Sequence, residues 1–305
     1  MNAPRSIDEY LKQLRTALAG ADPALIQDAL YDAEEYLRAE VAANPGKSEA
    51  DVLELIASTY GAPEEVATAY RDTEVKVRQA LKTPTPRGAG SSSALARFFG
   101  VYLDPRSYTS LFYMLLTLAT GIVYFTFVVT GLSLSAGFAI LIIGIPFFLA
   151  FIGIARVIAL GEGRLLEAIS GERMPRRPVH PGPPAGWWAR IGEMLKDVRT
   201  WTTLAYLVLM LPLGIIYFTV AVTGLAISIS CMGAPLSVVA QHFGSHFSLV
   251  NFGDYSLGPA AHSGIVSVGL LVIGVLLLTL LMHVARGLIR LHAQLAKALL
   301  VVPGT

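Results

Sequence analysis

The chain has 305 residues, 54% of them hydrophobic and 15% charged, with a mean hydropathy of +0.58. So apolar a composition with so little charge excludes an ordinary soluble globular protein and points to segments that lie in a membrane. The net charge of +1 hides two opposite parts, since residues 1–86 balance to −6 and residues 87–305 to +7. One cysteine, Cys231, excludes an internal disulfide framework and a multi-thiolate metal site. The opening MNAPRSIDEYLKQL has no uninterrupted apolar run, so no cleavable signal peptide is expected.

Residues 6–82 read as four short helices with clear punctuation. Ser6 with Glu9 forms a capping-box pattern, and Tyr10, Leu11, Leu14 and Leu18 recur at helical spacing until Gly20. Asp22 followed by Pro23 is an N-cap with a proline at the first helical position, starting a helix that runs to the NPG at 44–46. Ser48 caps a third helix closed by Gly61, and Pro63 opens a fourth, with Glu64 and Glu65 placed to complement its dipole. Asp28, Asp32 and Glu35 fall on one face of the second helix, which reads either as a solvated face or as a docking face for a basic partner. An acidic module repels phosphate, so direct nucleic-acid binding is not expected of it. TPTPRGAGSSSA at 83–94 has little to pack and reads as a flexible linker.

The order YLKQLRTAL, EEYLRAE, GKSEADVLELIASTYGAPEEVATAY resembles the HAAS domain, an α-helical signalling module often encoded beside PadR-like transcriptional regulators in bacteria. The resemblance covers about a quarter of the chain and is sharpest at YG-x-PEEVA. It implies a module that relays a signal by binding a protein.

Four apolar stretches follow, near 108–131, 134–160, 201–228 and 264–289. Each is long enough to cross the hydrocarbon, which takes about 20 helical residues. All 14 Lys and Arg of this part lie before the first stretch, between the second and third, or at and beyond the inner ends of the second and fourth. By the positive-inside rule both termini are cytoplasmic, and GLSLSA with residues 229–263 faces outward.

The stretches are duplicated. A slide of 93 residues aligns Arg97 with Arg190, Asp104 with Asp197, Arg106 with Arg199, Thr109 with Thr202, Tyr113 with Tyr206 and Tyr124 with Tyr217. More than half of the positions from 104 to 135 are identical, including GIVYFT against GIIYFT. The match returns at an offset of 130, where LIIG meets LVIG and Arg156 meets Arg286, so the second copy has gained 37 residues in its outer loop. Both copies begin on the cytoplasmic side, which makes them parallel repeats. SALARFFGVYL and GWWARIGEML precede them as interfacial helices, with Phe98/Phe99 and Trp187/Trp188 at the level of an aromatic belt. Paired short-loop hairpins opened by D-x-R-[ST]-[YW]-[TS] and carrying G-I-x-Y-F-T resemble the bacterial four-span "sensor" domain found ahead of kinase modules, here over residues 95–300. No kinase follows, so the resemblance implies output through the HAAS-like head.

Arg106, Tyr113, Tyr124 and Gly131 lie within about 20° of one another around an ideal helix, and Arg199, Tyr206, Tyr217 and Gly224 repeat them. This stripe suits packing between the two halves, with a lipid or apolar-ligand groove as the functional alternative. Thr126, Thr130, Thr219 and Thr223 fall on the other side and can bond their own backbone. No acid or base sits in the middle of a span, which argues against a proton-coupled transporter, and His283 reads as a packing residue. In the outer loop His242 and His246 stand at i, i+4, with Asp254 and His262 in reach of a fold-back. Those four could hold a divalent metal or belong to an amphipathic cap on the bilayer. No other cofactor is expected. GERMPRRPVHPGPPAG, between the repeats, is basic and proline-rich, so Arg173, Arg176 and Arg177 are expected to attract anionic lipid, or the acidic head to compete for that face.

The expectation is therefore an all-α chain in which a small soluble helical domain precedes a four-helix transmembrane domain of two parallel two-helix repeats. The boundaries are 1–82 for the head, 83–94 for the linker, 95–170 for the first repeat, 171–186 for the Pro/Arg-rich linker and 187–300 for the second repeat. The function expected is that of a bacterial inner-membrane signalling protein, multi-pass, that senses an envelope or lipid-borne stimulus. It would contact membrane lipids and a cytoplasmic protein such as a PadR-like regulator, and homo-oligomers are compatible with it. The runner-up is an accessory subunit or scaffold of a membrane transport system. No P-loop, nucleophile triad, kinase signature or dinucleotide turn is present, so the chain is not read as an enzyme.

Overall fold

The computed structural model describes residues 4–81, 93–139, 144–175, 177, 192, 194–243, 251–252, 255–256 and 264–301. The head is built from α1 (Ile7–Ala17), α2 (Pro23–Ala43), α3 (Glu49–Ala57) and α4 (Pro63–Leu81), each started as its sequence directs. Ser6 Oγ accepts from the Glu9 N–H, Asp22 Oδ1 accepts from the Ala24 N–H, and Ser48 and Asp51 close a reciprocal capping box. Glu9 does not complete a capping box of its own; its Oε2 accepts from the Arg5 N–H instead. Gly20 and Gly61 take φ of +81° and +104°, a region that favours glycine, and so turn the chain after α1 and α3.

These helices enclose a core of their own. Tyr10, Leu14, Leu18, Leu37 and Val52 are almost completely buried, and α1 packs on both α2 and α4. Tyr10 also spans the domain by donating its hydroxyl hydrogen to the Gly61 carbonyl at 2.9 Å. Burial, then the neighbouring Tyr60, Glu64 and Glu65, push this phenol far above its ordinary value.

Four helices are long and apolar enough to cross a membrane: α6 (Pro105–Phe138), α7 (Gly144–Ser170), α8 (Val198–Met232) and α10 (Gly264–Leu300). A short α5 (Ala94–Phe99) with a 3-10 turn at Gly100–Leu103 precedes α6, and α9 (Ala234–His242) follows α8. Between α9 and α10 the described residues include a two-residue antiparallel bridge, Asn251 with Ser256 and Phe252 with Tyr255. Three of these helices contain and extend their expected stretches, whereas α7 is displaced from the expected 134–160, starting at Gly144 and ending at Ser170, with residues 134–138 belonging to α6. GLSLSA, read as an outward turn, is helical within α6, because Gly131 costs that helix little where its bare backbone receives a neighbour: a Cβ there would stand 2.2 Å from the Phe151 ring. Likewise residues 229–232, read as loop, continue α8, and α10 runs eleven residues past the expected end at 289.

Two compact units emerge: Met1–Thr85 with Val128–Tyr206 and Ala293–Thr305, and Pro86–Phe127 with Leu207–His292. In the second unit α6 and α8 meet backbone to backbone. A Cβ on Gly121 would lie 2.6 Å from the Met210 carbonyl oxygen, and one on Gly214 would lie 2.5 Å from that of Thr117. These are the leading glycines of the two GI-x-YFT copies. Small residues that let backbones touch are the usual adhesive between helices in lipid, where apolar side chains gain nothing by leaving the solvent.

Two predictions follow from these contacts. Gly121→Ala or Gly214→Ala should destabilise the chain by about 1–3 kcal/mol through overpacking, whereas Gly137→Ala, with open space around it, should be neutral. Thermal denaturation in detergent reads the difference. For Tyr10, a phenol whose folded value lies above its unfolded value near 10 contributes stability that is present below that pH and is lost as pH rises through it. Helical circular dichroism of residues 4–81 should therefore fall steeply above about pH 10, and less steeply in Tyr10→Phe.

Candidate functional site

On α2, Asp28 and Asp32 stand one turn apart; on α4, Tyr70 and Glu74 do the same, facing them. The Tyr70 hydroxyl donates to Asp32 Oδ2 at 2.9 Å, and burial together with that bond raises the phenol far above its ordinary value. Asp28 is 5% exposed and Glu74 6%. Two carboxylates taken out of water side by side are costly without a cation between them.

The cation comes from the segment after α7. Gly171, at φ +76°, ends that helix and turns the chain into a strap over residues 171–175. Arg173 enters the groove, 9% exposed, and donates through Nη2 to Asp28 Oδ2 at 3.0 Å. Its Nη1 stands 3.0 Å from Glu74 Oε2, a contact of opposite charges without hydrogen-bond alignment. Arg177 follows: its backbone N–H donates to Asp28 Oδ1 at 2.9 Å, its Nε is 2.9 Å from Asp32 Oδ1, and its guanidinium lies 5.7 Å from the centre of the Tyr31 ring. Gln27 Nε2 donates to the Arg177 carbonyl, Met174 is fully buried beside these groups, and Lys297 of α10 donates to Asp22 at 2.6 Å.

The structure thus brings together two residue sets that sequence reasoning kept apart. Asp28 and Asp32, read as a docking face, and Arg173 and Arg177, read as lipid-facing, hold one another. For Arg173 this corrects the expectation: a guanidinium enclosed by two carboxylates is not available to a lipid headgroup. Arg177 keeps half of its side chain exposed. Glu35 stands exposed outside the clasp, and Arg176 lies outside the described residues.

The duplicated residues form matched pairs. Asp104 meets Arg286 at 3.1 Å in one unit, and Asp197 meets Arg156 at 3.2 Å in the other, with Arg156 also donating to Thr200. Each carboxylate first caps its own helix, through the Arg106 N–H in one copy and the Arg199 N–H in the other, both at 3.0 Å. Tyr108 and Trp201 repeat the same tie to the carbonyls of Tyr102 and Leu195. Of the stripe, Tyr113, Tyr206 and Tyr217 are buried and Tyr124 is half-buried. Gly131 and Gly224 pack inside their own repeats, against Phe151 and Leu281, rather than across the halves. The threonines at 126, 130, 219 and 223 are exposed.

His283 donates through Nε2 to the Phe98 carbonyl at 3.0 Å and stacks on the Phe98 ring, fastening α5 to α10. Sequence reasoning missed His292. Its Nε2 lies 3.3 Å from the Tyr113 hydroxyl and its Nδ1 3.4 Å from that of Tyr217, so in the neutral ring one hydroxyl donates and the other accepts. The offset of 130 pairs His292 with Glu162, also buried, and that coincidence of two polar residues in apolar helices was the available signal. The metal expectation falls outside the described residues for His246, Asp254 and His262, and for the side chain of His242.

Comparison with known families adds two matches. The HAAS model covers residues 9–69, the span of the helices that carry Tyr10, Asp28, Asp32 and Tyr70. The Sensor model, described as "Putative sensor", covers residues 113–300, the span of the duplicated helices. No curated protein and no solved structure matches the chain. With more than half of its length under the Sensor model and a HAAS domain ahead of it, the chain belongs to the Sensor family of multi-pass membrane signalling proteins.

Proposed function

We propose that this protein is a bacterial inner-membrane sensor whose HAAS head alternates between a docked state, with its acidic face closed by the strap, and a released state that binds a cytoplasmic protein. The observation that carries this reading is the Arg173 guanidinium held between Asp28 and Glu74. A partner for the same face must present cations in its place, which makes it a protein with a basic surface, and a PadR-like regulator is the leading candidate. The basic residues flanking the helices support cytoplasmic termini, which would place the clasp at the inner membrane face.

The physics suits a switch. A buried pair draws little net stability from its own attraction, because both charges were better solvated apart, yet removal of one member leaves the other uncompensated at a cost of about 3–5 kcal/mol. Opening must therefore transfer both charges to water or to new partners together. A stimulus that moves α7 or α10 acts on the strap and on Lys297 directly, since both continue from those helices. Catalysis has no part in this reading.

Charge reversal tests it. Arg173→Glu with Arg177→Glu should open the head, raise its cleavage by trypsin and increase capture of its partner from a bacterial lysate roughly tenfold. A transcription regulator in the captured fraction supports the signalling reading; a transport subunit would move the protein to the accessory class. Unchanged cleavage in the reversed variant would remove the docked state.

A further inference from the structure

Beside the clasp, within the same unit, lies a cleft with a cavity volume of about 60 Å³ that opens to the surroundings. Its floor is apolar. Leu160 of α7, Met174 of the strap and Leu300 of α10 face it, and Ala159 and Gly163 leave room where larger side chains would fill it. The rim is charged. Arg156 and Asp197 satisfy each other there, with Thr200 as the second partner of Arg156. Arg199 shares the rim, and its guanidinium forms no ion pair among the described residues; its backbone N–H donates to Asp197 and its carbonyl accepts from the Thr202 hydroxyl. Two arginines against one aspartate leave an excess of one positive charge over an apolar floor. Next to the cleft α7 is exposed at Ile154 and Val157, on a helix long and apolar enough to cross a membrane.

The geometry points to a binding site for an anionic amphiphile, with one acyl chain on the floor and the phosphate or carboxylate of its headgroup on Arg199. An uncharged chain leaves the arginine unanswered, and a free anion leaves the floor wet. The bilayer itself supplies such a molecule as an anionic phospholipid. Gln27 of the head and Met174, adjacent to Arg173, line the same cleft, so occupancy bears on the strap. That consequence rests on the docked head proposed above; the binding does not.

Native mass spectrometry of the full chain in detergent, with phosphatidylglycerol or phosphatidylcholine of matched chains added, tests the site. The expected result is one phosphatidylglycerol retained in preference to phosphatidylcholine. Arg199→Gln should cut that retention about tenfold, Arg199→Lys should keep most of it, and Ala159→Leu should lose it with the arginine intact. Equal retention of the two lipids, or no loss in Arg199→Gln, would overturn the assignment. So would displacement of the lipid by equimolar inorganic phosphate, which would make the rim a plain anion site. The lipid count reads the cleft alone, so its failure is separable from any failure of the head to release.

Discussion

The Arg173 guanidinium is enclosed between two buried carboxylates, Asp28 and Glu74, and the arrangement of the head against its strap follows from that. Asp28 and Glu74 tolerate burial because the guanidinium stands between them; Met174 is buried because Arg173 draws the strap down. The strap in turn directs Arg177 to Asp32 and Tyr31. Desolvation makes the arrangement costly to build and costlier to half-break, which gives two sharply defined states instead of a gradual loosening. Surface ion pairs, screened and individually weak, would not behave so.

The duplication has its own logic. Each repeat opens with an aspartate that caps its spanning helix, and that same carboxylate is answered by the arginine of the other repeat's returning helix. Neither repeat is therefore complete without the other. Glycines at the same place in each copy let α6 and α8 meet closely. The copies then diverge where they matter most to the proposed signal: His292 in one stands where Glu162 stands in the other, and the Arg199 guanidinium, unlike the Asp197 carboxylate, forms no ion pair among the described residues.

Much of this was readable from the chain as written. Helix starts at Ser6, Asp22 and Ser48 and stops at Gly20 and Gly61 depend on side chain and backbone within three or four residues, so local pattern suffices. The four spanning helices were visible for the same reason, although the second begins at Gly144 where 134 was expected, and α10 runs past 289 because Arg290 and Lys297 interrupt apolarity without interrupting the helix. The repeat offsets aligned Asp104 with Asp197 and Arg156 with Arg286, but not which aspartate meets which arginine; that is a matter of packing. The Arg173 clasp joins residues 145 apart in sequence and was hidden by a sound general expectation, that basic loops between spans lie on lipid. His292 escaped because its counterpart is a glutamate, and a comparison by identity passes over such a pair.

A double-mutant cycle on Asp28→Asn and Arg173→Met in the full chain, read as the free energy of head opening by proteolysis in detergent, measures the central contact itself. The account predicts that each single change destabilises the docked head and that the two are coupled by at least about 1 kcal/mol, the double variant losing much less than the sum. Additive effects, with no coupling between the two residues, would contradict it.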